Sequence, residues 1–248
     1  MSLFPHELQN QARLYVRSRE LAFFTFLLPI VIFVLLGSVY GEDEIEGVKG
    51  SRYLLAGMLG YGVVATVFAG LSIVLVIRRE SGVLKRLRAT PLPAPTYIAA
   101  MLLTFLAAFG LEVVCLIVLA RLLFDVPLPA RGFSLALSLL LGAASFSALG
   151  IGLAGLVRSA EGSSAVVNAI YLPMAFLSGS FFSPHSFPDF LRAIADVLPL
   201  TYFIELVRDV MLYGHGIWSE PGAVAVIAAW GAVGLLVAVR RFRWEPRE

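Results

Sequence analysis

Three kinds of side chain in this sequence could do chemistry. The carboxylate of Glu112 lies inside an apolar run, YIAAMLLTFLAAFGLEVVCLIVLARLL. An acid so placed is costly and faces protein or water. It could contact a cationic substrate, or it could pair with Arg121 or a polar neighbour and hold helices together. Tyr61 and Asn168, in two other apolar runs, are weaker candidates for the same pathway and equally suit hydrogen bonds between helices. The hydroxyls of Ser178, Ser180 and Ser183 could be nucleophiles, but no GxSxG elbow frames them and no base is evident nearby. The histidines His6, His185 and His215 are widely separated and no HExxH occurs, so no metal site is expected. No GxxxxGK[ST] loop occurs, so ATP hydrolysis of that kind is not expected of this chain. Gly150, Gly152 and Gly155 (GIGLAG) mimic a nucleotide fingerprint, but they fall in an apolar run, where small residues let helices pack closely.

Composition decides what must position these groups. Of 248 residues, 59% are hydrophobic and 15% charged, with a mean hydropathy of +0.87. A soluble domain carries about 25% charged residues. An all-α integral membrane protein is expected. A crossing helix needs about 20 apolar residues, and six runs qualify: 21–40, 53–77, 97–123, 133–157, 165–182 and 222–239. Residues 1–248 read as one transmembrane domain. The single cysteine, Cys115, excludes an intramolecular disulfide. The N-terminal stretch has no apolar core followed by a cleavage site, so the first span is expected to serve as targeting signal.

Cations fix the expected orientation. Arg13, Arg17 and Arg19 precede the first span; Arg78, Arg79, Lys85, Arg86 and Arg88 follow the second; Arg158 follows the fourth; Arg240, Arg241, Arg243 and Arg247 close the chain. The first loop holds Glu42, Asp43, Glu44 and Glu46 instead. By the positive-inside rule both termini and the second loop are cytoplasmic, in the plasma (inner) membrane. Residues 1–20 place Phe4, Leu8, Ala12, Tyr15 and Val16 near one face, which predicts a helix lying in the interface. Pro29 and Pro173 break the ladders of the first and fifth spans.

Residues 183–214 are too charged to cross. Phe187, Phe190, Leu191 and Ile194 form one apolar stripe, Phe203, Val207, Val210 and Met211 another, and Pro199 divides them. This predicts a re-entrant hairpin of two amphipathic helices in the outer leaflet, with Phe187, Phe190, Pro199, Phe203 and Val207 as an outer gate. Gly214 is a plausible stop.

The second loop, 78–95, reads RRESGVLKRLRATPLPAP. Its portion ESGVLKRLRATPLP resembles the cytoplasmic motif of ABC-2 type transporter permeases, through Glu80, Gly82, Lys85, Arg88, Thr90 and Pro91. Around 178–211, Gly179, Pro184, Pro188, Leu198, Pro199 and Arg208 also fit the family pattern. The likeness spans nearly the whole chain and is greatest to the drug-exporter, daunorubicin-type branch. It implies a permease that pairs with a second permease copy, binds ABC ATPase subunits, and moves an amphipathic drug or lipid-like substrate outward. ATP and Mg would sit on the ATPase. Membrane lipid is the other expected partner, and nucleic acid is not one. The resemblance makes 78–95 a coupling helix. Glu80 would suit its positive start and Lys85, Arg86 and Arg88 its other end. Val83, Leu84 and Leu87 would form a docking face, and Pro91, Pro93 and Pro95 would stop the helix. A secondary transporter is the rival reading, but no repeat of broken helices is evident. A lipid-modifying enzyme is another, and it lacks a nucleophile or metal set.

Overall fold

The apolar runs fold as helices because hydrocarbon offers backbone amides no other partners. The computed structural model describes residues 3–242, apart from the side chains of Leu21 and Arg88; Arg243 and Arg247 lie outside the described residues. After α1 (Leu3–Arg17), the short α2 (Arg19–Ala22) leads through a π-helical turn into α3 (Leu28–Tyr40). A second π-helical segment joins α4 (Gly50–Gly62) to α5 (Leu71–Glu80). Then come α6 (Val83–Arg88), α7 (Ala94–Phe124), α8 (Gly132–Leu156) and α9 (Ala160–Leu177). The chain closes with α10 (Asp189–Ala195), α11 (Pro199–Leu212) and α12 (Pro221–Arg241).

Among the described residues, five helical stretches are long and apolar enough to cross a membrane: Phe23–Tyr40, Gly50–Glu80, Ala94–Phe124, Gly132–Leu156 and Pro221–Arg241. The expected fifth run, 165–182, is instead α9, which begins earlier and stops at Leu177. Beyond it Gly179 takes φ +87°, a left-handed turn that ends the helix. The expected loop 78–95 is likewise shorter. Helix α5 continues through Glu80, and Pro95 stands in the first turn of α7 rather than stopping α6. A small hairpin, β1 (Glu44–Ile45) with β2 (Val48–Lys49), interrupts the all-α pattern. Its turn residues Glu46 and Gly47 both have positive φ, which matches the twist of a two-residue hairpin.

The helix Gly50–Glu80 runs through the centre of the bundle. Nearly every residue of α4 is buried, and its glycines let neighbours approach. A Cβ on Gly57 would lie 2.2 Å from the backbone oxygen of Ser180. That neighbour is backbone and cannot swing away. Gly57→Val should therefore cost about 3 kcal/mol. The melting midpoint of the purified protein should fall by about 6–12 °C. An unchanged midpoint would contradict this close approach.

Helix α8 packs on both α5 and α12. Ser72 Oγ donates to Gly150 O at 2.8 Å, and Ser145 Oγ donates to Ile227 O at 2.7 Å. A Cβ on Gly152 would meet Gly234 O at 2.8 Å, and one on Gly155 would meet Phe242 N at 3.0 Å. Contacts thus advance along both helices together, so α8 and α12 run in the same direction. This is small-residue packing, as GIGLAG predicts.

Helix α1 lies against α7. It turns Glu7 and Gln11 to the bundle and leaves Val16 exposed. The expected face of Phe4, Ala12 and Val16 points outward, because Arg78, itself bonded to the Tyr97 hydroxyl, offers Gln11 a partner on the inner side.

Candidate functional site

The loop between the second and third long helices is built on a buried arginine. Arg79, wholly buried, donates from Nη1 to Ala154 O at 2.8 Å and from Nη2 to Val157 O at 2.6 Å. These carbonyls close α8, where no further turn of helix exists to bond them. Arg79 Nε donates to Glu80 Oε1 at 3.1 Å. The loop is therefore pinned at its root to the end of α8. In the sequence alone Arg79 reads only as a topology signal. The signal was the pair Arg78–Arg79 at a helix end: adjacent residues point about 100° apart, so both cannot face solvent alike.

From that root the chain turns through Gly82 (φ +70°) into the six-residue α6. Glu80 ends α5 and so does not head the same helix as Arg88, whose side chain lies outside the described residues. Leu84 is also placed differently from expectation. It is 0% exposed, in a cluster with Leu71, Leu75, Tyr97 and Met101, so it seats α6 on the bundle instead of docking anything. Val83 and Leu87 are half-buried, while Lys85, Arg86, Thr90 and Pro91 are exposed. The result is a short helix held on one side by apolar packing and presenting two cations on the other.

Glu112 is fully buried. Its Oε2 meets Thr66 Oγ1 at 2.9 Å, and Oε1 has no hydrogen-bond partner among the described residues. Arg121, the expected partner, is instead exposed beside Asp125. A Cβ on Gly62 would lie 2.5 Å from Glu112 Oε1, so only glycine admits the carboxyl there. Thr66 Oγ1 also donates to Thr25 O at 3.1 Å, and Tyr15 OH shares a hydrogen bond with Thr25 Oγ1 at 2.6 Å. Pro29, four residues on, cannot bond the Thr25 carbonyl. The π-helical turn and the Thr66 hydroxyl accommodate it. One polar chain thus links α1, both π segments and α7.

Tyr61 packs on α9 and the turn after it, its ring 6.4 Å from Tyr171 and 5.4 Å from Phe181. Asn168 is half-buried on α9. Glu112 is thus bonded to Thr66, while Tyr61 packs on α9, the helix that also carries Asn168.

The residues expected as an outer gate also divide. Phe190 is 67% exposed on α10 and Phe187 is half-buried. Pro199 starts α11 and is buried, and Phe203 and Val207 are 0% exposed. Phe203 fills the space left by Gly142, where a Cβ would lie 2.2 Å from its ring, and packs on Phe146. The apolar stripe of α11 therefore faces protein, not lipid. Arg208 on the same helix stacks 3.6 Å over the Tyr53 ring and donates to Gly179 O at 2.5 Å, clamping the turn after α9 to α4.

Comparison with known proteins decides the family. Residues 5–212 match the pattern described as ABC-2 type transporter. The chain belongs to that family. It is 24% identical to the putative transport permease YvfS of Bacillus subtilis (strain 168) over 206 residues, 83% of this chain and 84% of that protein. It is 28% identical to the putative transport permease ycf38 of Porphyra purpurea, over 84% of this chain and 72% of that one. The probable multidrug ABC transporter permease YbhS of Escherichia coli (strain K12) is 28% identical over 158 residues, 62% of this chain and 41% of that protein. With its apolar helices, this ABC-2 protein is a multi-pass transmembrane permease subunit of an ABC transporter, and the family implies an ABC ATPase partner.

Proposed function

We propose that this permease moves an amphipathic drug or lipid-like molecule outward, driven by ATP and Mg on a separate ATPase that seats on Ser81–Pro91. The observation carrying this reading is the mounting of α6. Arg79 and Leu84 fix it to the bundle, so a push on exposed Lys85 and Arg86 moves α5 and the end of α8. A loosely tethered loop would transmit nothing. The likeness to YbhS, a probable multidrug ABC transporter permease, supports the substrate class and the drug-exporter branch. The active form is a pair of permease copies with two ATPases, most simply a homodimer.

The chain crosses six times, with both termini in the cytoplasm and α1 in the interface. The common direction of α8 and α12 supports this count, because one further crossing must return the chain between them, and α9 is the intervening long helix. Helices α10 and α11 then form the outer cap, with Phe190 and Phe187 toward the membrane. Glu112 acts in holding α4, α7 and the first span together, since its surroundings are helix packing.

Orientation is directly testable. Glu44 and Ser81 are both exposed, on opposite ends of the central helix. With Cys115 replaced by alanine, a cysteine at Glu44 should react with a membrane-impermeant maleimide on intact cells. One at Ser81 should react only after the membrane is opened. The reverse pattern would place the loop outside the cell and end the docking reading.

A further inference from the structure

Where α1 lies against α7 and the root of the loop, the structure has a cavity of about 410 Å³. Two opposite charges line it without pairing to each other. Gln11 stands between them: its amide nitrogen donates to Glu7 Oε1 at 2.5 Å, and its amide oxygen accepts from Arg78 Nη1 at 2.5 Å. Arg78 Nη1 also donates to the Tyr97 hydroxyl at 2.7 Å, and the guanidinium lies 5.9 Å from that ring's centroid. Both partners of Arg78 are neutral. Its Nε and Nη2 have no hydrogen-bond partner among the described residues, nor does Glu7 Oε2. A partly buried cation without a counterion favours binding an anion, and the 8% exposed Glu7 favours a cation by the same reasoning.

The rest of the wall is apolar. Met101 and Phe105 line it inside, and Leu14 and Ile77, 44% and 45% exposed, lie toward its edge. An occupant must therefore carry an anionic group, a cationic group a few bonds away, and an apolar tail leaving past Leu14 and Ile77. A free phosphate lacks the last two, and a fatty acid lacks the cation. We infer that the cavity binds the headgroup of a phosphoethanolamine-type phospholipid, phosphate on Arg78 and ammonium on Glu7. A primary ammonium donates hydrogen bonds to the Glu7 carboxylate, which a trimethylammonium cannot do, so choline lipids bind less well. Basic pockets beside spanning helices are known hosts for lipid headgroups. This site is independent of the transport reading, because its residues and its test involve neither the ATPase nor a transported molecule.

Native mass spectrometry of the full chain, stripped of lipid and offered equal amounts of phosphatidylethanolamine, phosphatidylcholine and phosphatidylglycerol, tests it. The parent protein should retain phosphatidylethanolamine about tenfold over phosphatidylcholine. Glu7→Gln should lose phosphatidylethanolamine by a similar factor while keeping phosphatidylglycerol, and Arg78→Gln should lose both. Equal retention of the three lipids by the parent would overturn the assignment whether or not either variant folds. So would a preference that survives Glu7→Gln. Soluble glycerophosphoethanolamine at equal concentration should leave the adduct in place. Displacement by it would assign the cavity to a soluble phosphate ester and refute the lipid.

Discussion

Arg79→Ala should melt far below the parent protein, with a loss of about 3–5 kcal/mol, the scale for removing one member of a buried charged network. The guanidinium is wholly buried and bonds two carbonyls at the end of α8 as well as Glu80. Removing it leaves those carbonyls without donors in a space too enclosed for easy hydration, and leaves Glu80 without its cation. Arg79→Lys should recover only part of the loss, since one ammonium cannot reproduce a planar fork bonded to two carbonyls and a carboxylate. Lys85→Ala, on the exposed face of the same loop, should stay within about 0.5 kcal/mol of the parent. Thermal melts and limited proteolysis across Ser81–Pro93 would measure all three. An Arg79→Ala protein as stable as Lys85→Ala would show that the loop is not pinned to α8.

Much of the architecture is legible in the sequence because the bilayer makes it so. Length and apolarity alone mark Phe23–Tyr40, Ala94–Phe124 and Pro221–Arg241, and Pro199, which opens α11, and Gly214, which follows it, divide the segment before the last helix as expected. What sequence leaves open is which side of a helix is covered. Leu84 and Lys85 are neighbours, and only packing against Leu75 and Tyr97 turns the leucine inward. Phe203 and Val207 form the same stripe whether lipid or protein covers it; Gly142, far off in sequence, decides for protein. The polar face of α1 was hidden for a similar reason, since its partner Arg78 lies beyond two apolar runs. Thr66 and Thr25 are unremarkable residues in apolar runs. Their pairing depends on a carbonyl displaced by Pro29, a backbone event that periodicity does not register.

The second large effect concerns the exposed side of α6. Lys85 and Arg86 sit on a helix already seated by Leu84, so reversing both charges alters what a partner meets while leaving the packing intact. The double variant Lys85→Glu, Arg86→Glu should fold, insert and melt like the parent. Its hold on the ATPase should drop by about ten- to a hundredfold, because two attractive contacts become repulsive. Raising the salt should weaken the parent complex toward the variant's level, as screening requires of exposed charges. The decisive measurement is copurification of the ATPase with tagged permease, parent and double variant side by side at equal membrane expression. The parent should bring down a stoichiometric ATPase band and the variant a severely depleted one. Equal ATPase recovery from both, with transport intact, would contradict it and leave the loop as a topology signal alone.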